Sequence, residues 1–574
     1  MRQRRTGPLI LELDLTDGIA EGPPSDPLSA LLTMRKTRLQ DLLEGLRRAA
    51  ADDRVRVLVV KVGGSRIGLA KVQELRAAIG DFRRSGKLAM AWAESFGDFV
   101  HGNVPYYLAT GFDRIYLQPS GTLGLTGVAV EQVFLHGALE KLGIDFEAAK
   151  RHEYKSAPEQ LTESGFTGPA REATARLTES VTEQLAGVVA AGRGLSVERA
   201  TALLGRGPFL APQALAEGLV DGLLYRDQVY EQARKEAGQD ATLLYLQRYQ
   251  RTQSLSDLPR RVGSSVQGMA PGQHERFVAT IYAHGAIRHG RSGRGPGGGG
   301  MGSDTVAAAL RAVGADEGAR AVVLRVNSPG GSYTASDVIW REVVRLRAAG
   351  KPVIISMGDV AASGGYFISA PADVIVVQPG TITGSIGVFM GKPVLRELFG
   401  RAGVTTDSIT DGAGAASATM FSSSRPFSEA EWARINEWLD AVYDDFTEKV
   451  ASGRRMSAER VHELARGRVW TGADAIANGL ADEAGGLREA IAIARKRAGL
   501  PADAPVRIYP RLGPLDQLRP AESSEARPAA RAQLGAGALA SLFADGWGPA
   551  WRFAAAAGLP PYGPLTLPGT WTIS

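Results

Sequence analysis

The sequence predicts an α/β protein made of two copies of one unit. Two halves overlay at an offset of about 260 residues, and through both of them short Val/Ile/Leu runs alternate with helical periodicity. At 574 residues the chain is also too long for one ordinary domain of roughly 100–200 residues. Two cores are therefore expected.

Each half opens on an apolar strand, PLILELDL (8–15) in the first and FVATIYAHGAI (277–287) in the second. Next comes an amphipathic helix running into a buried strand, LRRAAADDRVRVLVVKV (46–62) matching LRAVGADEGARAVVLRV (310–326). Further on, PSGTLGLTGV (119–128) matches PGTITGSIGV (379–388), and GPFLAPQALAEGLVDG (207–222) matches GRVWTGADAIANGLADE (467–483). Strands that read as nearly continuous apolar runs belong in sheets covered on both faces. The expected boundaries are a first repeat over 1–245, a polar linker over 246–275, a second repeat over 276–500 and an Ala/Pro/Trp-rich tail over 501–574. The glycine-rich stretch RHGRSGRGPGGGGMGS (288–303) is followed by no Gly-Lys-Ser/Thr and reads as a surface loop rather than a phosphate cradle.

Composition narrows the chemistry. Zero cysteines exclude disulfides, thiolate catalysis and cysteine-ligated metals. The 66 basic and 61 acidic residues are interspersed, with no basic block to favour nucleic acid. No HExxH or clustered acidic signature is present, so neither a metal nor a cofactor is implied. The N-terminus has basic residues but its apolar stretch is broken by Glu12 and Asp14, and the uncharged end, Phe553 to Ser574, carries Pro560, Pro561, Pro564 and Pro568. Neither a signal peptide nor a transmembrane helix is expected. Trp547, Trp551, Phe553 and Trp571 leave two readings of the tail, contact with a lipid surface or packing on the body or a partner subunit.

Chemistry is expected where the halves differ. In the second half one strand runs into NSPGGS (327–332) and another into GDVAASGGYFISAPAD (358–373). Glycine turns at strand ends can present backbone N–H groups to a carbonyl, and Ser363 stands at a strand-to-helix turn that would project its hydroxyl. At the equivalent place the first half has Asn103, aligned through Tyr106 with Tyr366 and through Asp113 with Asp373. Conversely RHEYKSAPEQLTESGFT (151–167) supplies Lys155, which overlays Ala415. One half keeps a serine and the other a lysine, so a single site built across the duplication is expected. A lysine can activate the serine only if its pKa falls from ~10.4 towards 7–8. Desolvation would lower it, and repulsion from Lys150 and Arg151 is expected to contribute.

Together these motifs resemble the signal peptide peptidase A family in its long, duplicated bacterial form, a serine/lysine-dyad group also called protease IV. NSPGGS, MGDVAASGGYFISAPAD, TGSIGVF, EYKSAPE and VWTGADAIANGLAD occur in family order, and the resemblance spans roughly residues 8–500. It implies a ClpP/crotonase-like fold of repeated ββα units. It further implies a serine endopeptidase with Ser363 as nucleophile, Lys155 as general base and Ser385 positioning the lysine. Gly364 with either Gly330 or Gly331 would form the oxyanion hole, and Gly365 completes the turn. The implied substrates are apolar peptides, remnant signal peptides above all. The implied assembly is a membrane-associated homotetramer, although this sequence lacks the N-terminal anchor many relatives carry, which leaves a cytoplasmic location as the alternative. Two rivals from other classes are a crotonase-like acyl-CoA enzyme using the same oxyanion hole and an inactive ring scaffold. Within peptidases the rival is a Ser/His/Asp triad, for which His152 is the histidine nearest Lys155 in sequence among His101, His136, His152, His274, His284, His289 and His462.

Overall fold

Strands such as Val55–Lys61 and Ala319–Ser328 are apolar along nearly their whole length, and they are buried accordingly. In the computed structural model, which describes residues 7–23, 36–63, 67–97, 101–250, 275–295, 298–410, 417–509 and 565–566, they form the centres of two sheets. The first sheet is parallel throughout, in the order Gly222–Leu223, Arg114–Leu117, Leu88–Ala93, Val55–Lys61, Leu9–Asp14, Thr242–Tyr245. The second runs Val469–Thr471, Ile382–Gly384, Val353–Ala362, Ala319–Ser328, Phe277–His284, Val506–Tyr509, and only Val469–Thr471 is antiparallel to its neighbour. Edge strands 242–245 and 506–509 are equivalent, so the repeat extends past residue 500 into what reads in the sequence as tail.

The ββα unit is plain in the second half. Strand Phe277–His284 continues as the short strand Ala286–Arg288 before helix Ser303–Ala315, and strand Ala319–Ser328 continues as Gly330–Gly331 before helix Tyr333–Ala348. The two short strands leave the main sheet and pair with each other, Ile287 opposite Gly331. Part of the glycine-rich stretch joins them: Gly293–Gly295 and Gly298–Gly302 form an antiparallel ribbon rather than a plain surface loop. The backbone pairs because glycine offers no steric barrier to a tight ribbon.

Side-chain bonds repeat as faithfully as the sheets. Tyr106 donates its hydroxyl to the Leu219 carbonyl (2.7 Å), and Tyr366 donates to Leu480 (2.8 Å). Asp113 accepts from the Ala89 amide and Asp373 from Val353 (2.9 and 2.8 Å). Lys87 donates to the carbonyls of Ala49, Ala50 and Asp52, and Lys351 to those of Val313, Gly314 and Asp316.

The halves meet across the second sheet. Along Ala319–Ser328, Val322, Leu324 and Val326 face that half's own helices, whereas Ala321 and Val323 pack into the first half's core, as the two-residue period of a strand requires. Arg325 follows on the same face and is fully buried. Its guanidinium meets Glu21 Oε1 and Glu74 Oε1 of the first half, both at 2.6 Å, and donates to Ser356 Oγ at 2.9 Å. Lys71 bridges Glu21 to Asp359 of the second half. Burial alone would raise the Glu21 carboxyl, but Arg325 and Lys71 outweigh it and hold the pKa at about 2. Removing one partner of such a cluster strands the others without solvent. Arg325→Ala is therefore expected to destabilise the protein by about 3–5 kcal/mol, measured as a fall in the denaturation midpoint. Arg347→Ala, at an ion pair nearly a third exposed, should change it by less than about 1 kcal/mol.

Candidate active site

A strand of the first half carries the lysine into the second. Asp145–Lys150 pairs antiparallel with Phe389–Val394, after which the Arg151 amide donates to the Val388 carbonyl (2.9 Å) and the Tyr154 amide to that of Arg466 (3.1 Å). Lys155 is thereby anchored through the backbone that leads into it. A Cβ added to Gly467 (φ +85°) would fall 2.4 Å from the Lys155 nitrogen, so only glycine permits this approach.

Lys155, Ser363 and Ser385 have no solvent-exposed surface. Lys155 Nζ lies 2.9 Å from Ser363 Oγ, 3.0 Å from Ser385 Oγ and 3.1 Å from the Ser385 carbonyl. A neutral amine has two N–H donors and one lone pair. It can donate to the two Ser385 oxygens and accept from the Ser363 hydroxyl, which satisfies both N–H donors and the lone pair of the amine. Burial pushes the Lys155 pKa down to about 7, and no carboxylate opposes it. The cations expected to help do not act on it: Lys150 pairs with Glu159 (2.6 Å), and Arg151 with Asp440 and Asn436. Desolvation is enough by itself.

Ser363 follows strand Val353–Ala362 at φ +55°, ψ −116° and caps the short helix Gly364–Phe367. Ser385 stands at φ +52°. Backbone strain of this kind in residues with a Cβ persists only where the surroundings enforce it. Here the Ser363 amide donates to the Gly384 carbonyl (2.8 Å) and the Ser385 amide to that of Arg468 (2.7 Å).

The two glycine turns converge on the serine. A Cβ built on Gly364 would lie 3.1 Å from both the Gly331 nitrogen and Gly330 Cα, and one on Gly365 would lie 2.6 Å from the Ser328 carbonyl oxygen. The Gly330 amide donates to Ser328 Oγ (3.2 Å).

Asn103 occupies the first half's counterpart of Ser363, at the start of helix Asn103–Ala109. Its side chain donates to the Gly127 carbonyl (2.7 Å) and accepts from the Thr126 amide (3.2 Å), tying a loop where the second half has a reactive group. Ala415, the counterpart of Lys155, lies outside the described residues. His152 is not an alternative base: its ring packs on Tyr443 and His462, with centroids 4.4 and 4.9 Å away.

Sequence reasoning missed Gly467, Ser328 and the cluster behind the NSPGGS turn. In that cluster Asn327 donates to Glu21 Oε2 (3.3 Å) and accepts from the Val360 amide (3.1 Å). Gly467 had a readable signal, since it opens the block that overlays Gly207, where a Cβ would strike the Leu125 carbonyl at 1.9 Å. Glu21, Lys71 and Arg325 carried none.

The chain is similar to known peptidases over most of its length. A model of peptidase family S49 matches residues 82–240 and 345–501. "Protease 4" of Salmonella typhi is 32% identical over 476 residues, covering 81% of this chain and 73% of that protein. "Serine protease SPPA, chloroplastic" of Arabidopsis thaliana is 30% identical over 474 residues, covering 82% and 67%. A "Putative signal peptide peptidase SppA" of Enterococcus faecium is 37% identical over 200 residues, covering 35% and 57%.

Gly467 offers a test of the lysine's placement that leaves every polar side chain intact. Gly467→Ala is expected to displace Lys155 and lower hydrolysis by about 10²-fold, with an unchanged circular dichroism spectrum. Full activity in this variant would show that the close approach is dispensable.

Proposed function

The chain belongs to peptidase family S49 and is a serine-type endopeptidase; from that premise we propose that Ser363 is its nucleophile and Lys155 its general base. The single observation that carries this reading is the 2.9 Å contact between Lys155 Nζ and Ser363 Oγ, made by a lysine that burial holds near neutrality. Lys155 takes the hydroxyl proton as Ser363 Oγ attacks the peptide carbonyl, then returns it to the leaving amine. Water enters and the same lysine activates it to release the acyl group. Ser385 holds the lysine's N–H bonds so that its lone pair faces Ser363. The carbonyl oxygen receives negative charge between the Gly331 and Gly364 amides. Gly331 is favoured over Gly330 because the Gly330 amide is engaged by Ser328.

We further propose that the substrates are apolar peptides, including remnant signal peptides, as the name of the Enterococcus relative suggests. Assembly into a homo-oligomer is proposed as well, with exposed Ile409, Phe421 and Trp438 as available apolar surface. Among the described residues no helix is long and apolar enough to cross a membrane. The tryptophans considered for a lipid surface fall outside the described residues. An acyl-CoA enzyme would need a carboxylate as its acid/base, whereas the group in contact with Ser363 Oγ is the amine of Lys155.

Ser363→Ala is expected to abolish both peptide cleavage and labelling by a fluorophosphonate, and retained cleavage would reject the mechanism. Because the base must be neutral, hydrolysis should rise as pH passes about 7 and level off above it. Lys155→Met should lose at least about 10²-fold in kcat and with it the dependence on that ionisation, checked by pH–rate profiles of both proteins.

A further inference from the structure

Three consecutive residues of the second half tie the base to the serine that holds it. The Arg466 carbonyl accepts from the Tyr154 amide (3.1 Å), the Gly467 amide donates to the Ile386 carbonyl (2.7 Å), and the Arg468 carbonyl accepts from the Ser385 amide (2.7 Å). Arg466 stands at φ +54°, in the left-handed region, with its amide donating to the Tyr443 hydroxyl (3.3 Å). A residue with a Cβ keeps that conformation only under constraint from outside its own backbone.

The side chains that constrain this stretch converge on Tyr154, the neighbour of the base. The guanidiniums of Arg466 and Arg468 lie over its ring, 5.3 and 4.9 Å from the centroid. Nε of each is buried with no acceptor among the described residues, so it is the ring that these groups pack on, with their outer nitrogens on Glu153 (2.9 Å) and Glu172 (2.8 Å). The Tyr154 hydroxyl donates to the other oxygen of Glu172, also at 2.8 Å. A surface carboxylate with one partner does little. Glu172 has two, one on the lysine's segment and one on the stretch that holds Ser385.

The duplication supplies a control. Braces such as those of Tyr106 and Tyr366 recur in both halves. This clamp does not: Gly414 overlays Tyr154 and Pro208 overlays Arg468. Arg206, the counterpart of Arg466, lies instead over Phe209 (5.9 Å) and pairs with Glu217 (2.9 Å). The clamp accompanies the lysine and is missing where the lysine is replaced by Ala415.

We propose that Tyr154 is a positioning residue for the base: held by Arg466, Arg468 and Glu172, it keeps the backbone of Lys155 against that of Ser385, so that Nζ meets Ser363 and both Ser385 oxygens at once. The proposal rests on the serine/lysine reading above. Without the clamp, residues 154–155 can part from 466–468. Water then reaches the amine, and the desolvation that keeps it neutral is relieved. The charged groups around the Tyr154 side chain are Glu172, Arg466 and Arg468, with Glu153 beside it in the chain, and substitution of Tyr154 leaves all four in place.

The test follows kcat and KM against pH for a leucine-containing fluorogenic peptide in the full chain and in Tyr154→Phe, Tyr154→Leu and Tyr106→Phe, with denaturation midpoints and fluorophosphonate labelling measured alongside. Tyr154→Phe keeps the ring and loses the bond to Glu172, whereas Tyr154→Leu loses both. In Tyr154→Leu the midpoint of the kcat profile is expected to rise from about 7 to about 8. That is about a fivefold loss at pH 7, narrowing by pH 9, with KM within about twofold. Tyr154→Phe should move the same way by less. Tyr106→Phe, which breaks a brace common to both halves, should lower the denaturation midpoint and leave the profile in place. An unshifted profile in Tyr154→Leu, or in Tyr154→Phe if the leucine variant does not fold, would overturn the proposal while leaving the peptidase reading intact, since the clamp would then be one more brace. No labelling of the unaltered chain would overturn the peptidase reading and this proposal with it.

Discussion

Everything in the site depends on keeping one lysine out of water with no carboxylate beside it. Holding Lys155 at about 7 rather than near 10.4 costs folding on the order of 5 kcal/mol at neutral pH. That penalty is full below pH 7 and fades as pH rises towards the ordinary lysine value, where the unfolded chain also loses the proton. No single element could enforce it. The strand Asp145–Lys150 brings the lysine from the first half, and the loops around Ser385 and Gly467 close over it from the second. The duplication supplies two walls and one sealed space between them.

The asymmetry of the halves follows from the same constraint. Both copies keep the tyrosine, aspartate and lysine bonds that lock strand to helix, because these stabilise the unit whatever it does. They differ at the turn after the third long strand. Asn103 uses both ends of its amide to hold its own loop, whereas Ser363 sits in a strained conformation with its hydroxyl directed at a residue of the other half. Satisfied locally, the first copy has become support. The second carries the strain and the chemistry.

Local patterns made most of this readable from the sequence. The repeat, the buried strands and the Ser-Gly-Gly and Pro-Gly-Gly turns are short-range signals, and the mismatch between the copies pointed to Ser363 and Lys155. What was not readable is where side chains go after the chain folds. Lys150 and Arg151 adjoin the lysine in sequence yet turn to Glu159 and Asp440, so proximity in sequence suggested a repulsion that space does not provide. Arg325 stands within the apolar run AVVLRV with nothing in the sequence to mark its partners. Its role emerges only when the strand's two faces are assigned to different cores, since that sets it opposite Glu21 and Glu74. The strand at 506–509 was hidden because four residues after a helix carry little periodicity, and only its pairing with Phe277–His284 defines it.

A second buried lysine shows what decides the direction of the shift. Lys71 is nearly as removed from water as Lys155, and burial pushes it down in the same way, but Asp359 and Glu21 outweigh that effect and raise its pKa to about 12. One lysine is a permanent cation that ties the halves together; the other titrates near neutrality. The difference lies in their partners, carboxylates for Lys71 and hydroxyls and a carbonyl for Lys155. The cluster behind the NSPGGS turn pairs its own charges, Arg325 and Lys71 against Glu21, Glu74 and Asp359, so it fixes the turn through Asn327 without supplying a counter-ion to the lysine. Rigid charge pairing on one side of the turn and an uncompensated base on the other are separate requirements of one reaction. The first holds the backbone donors in place before charge develops, and the second keeps the proton acceptor neutral.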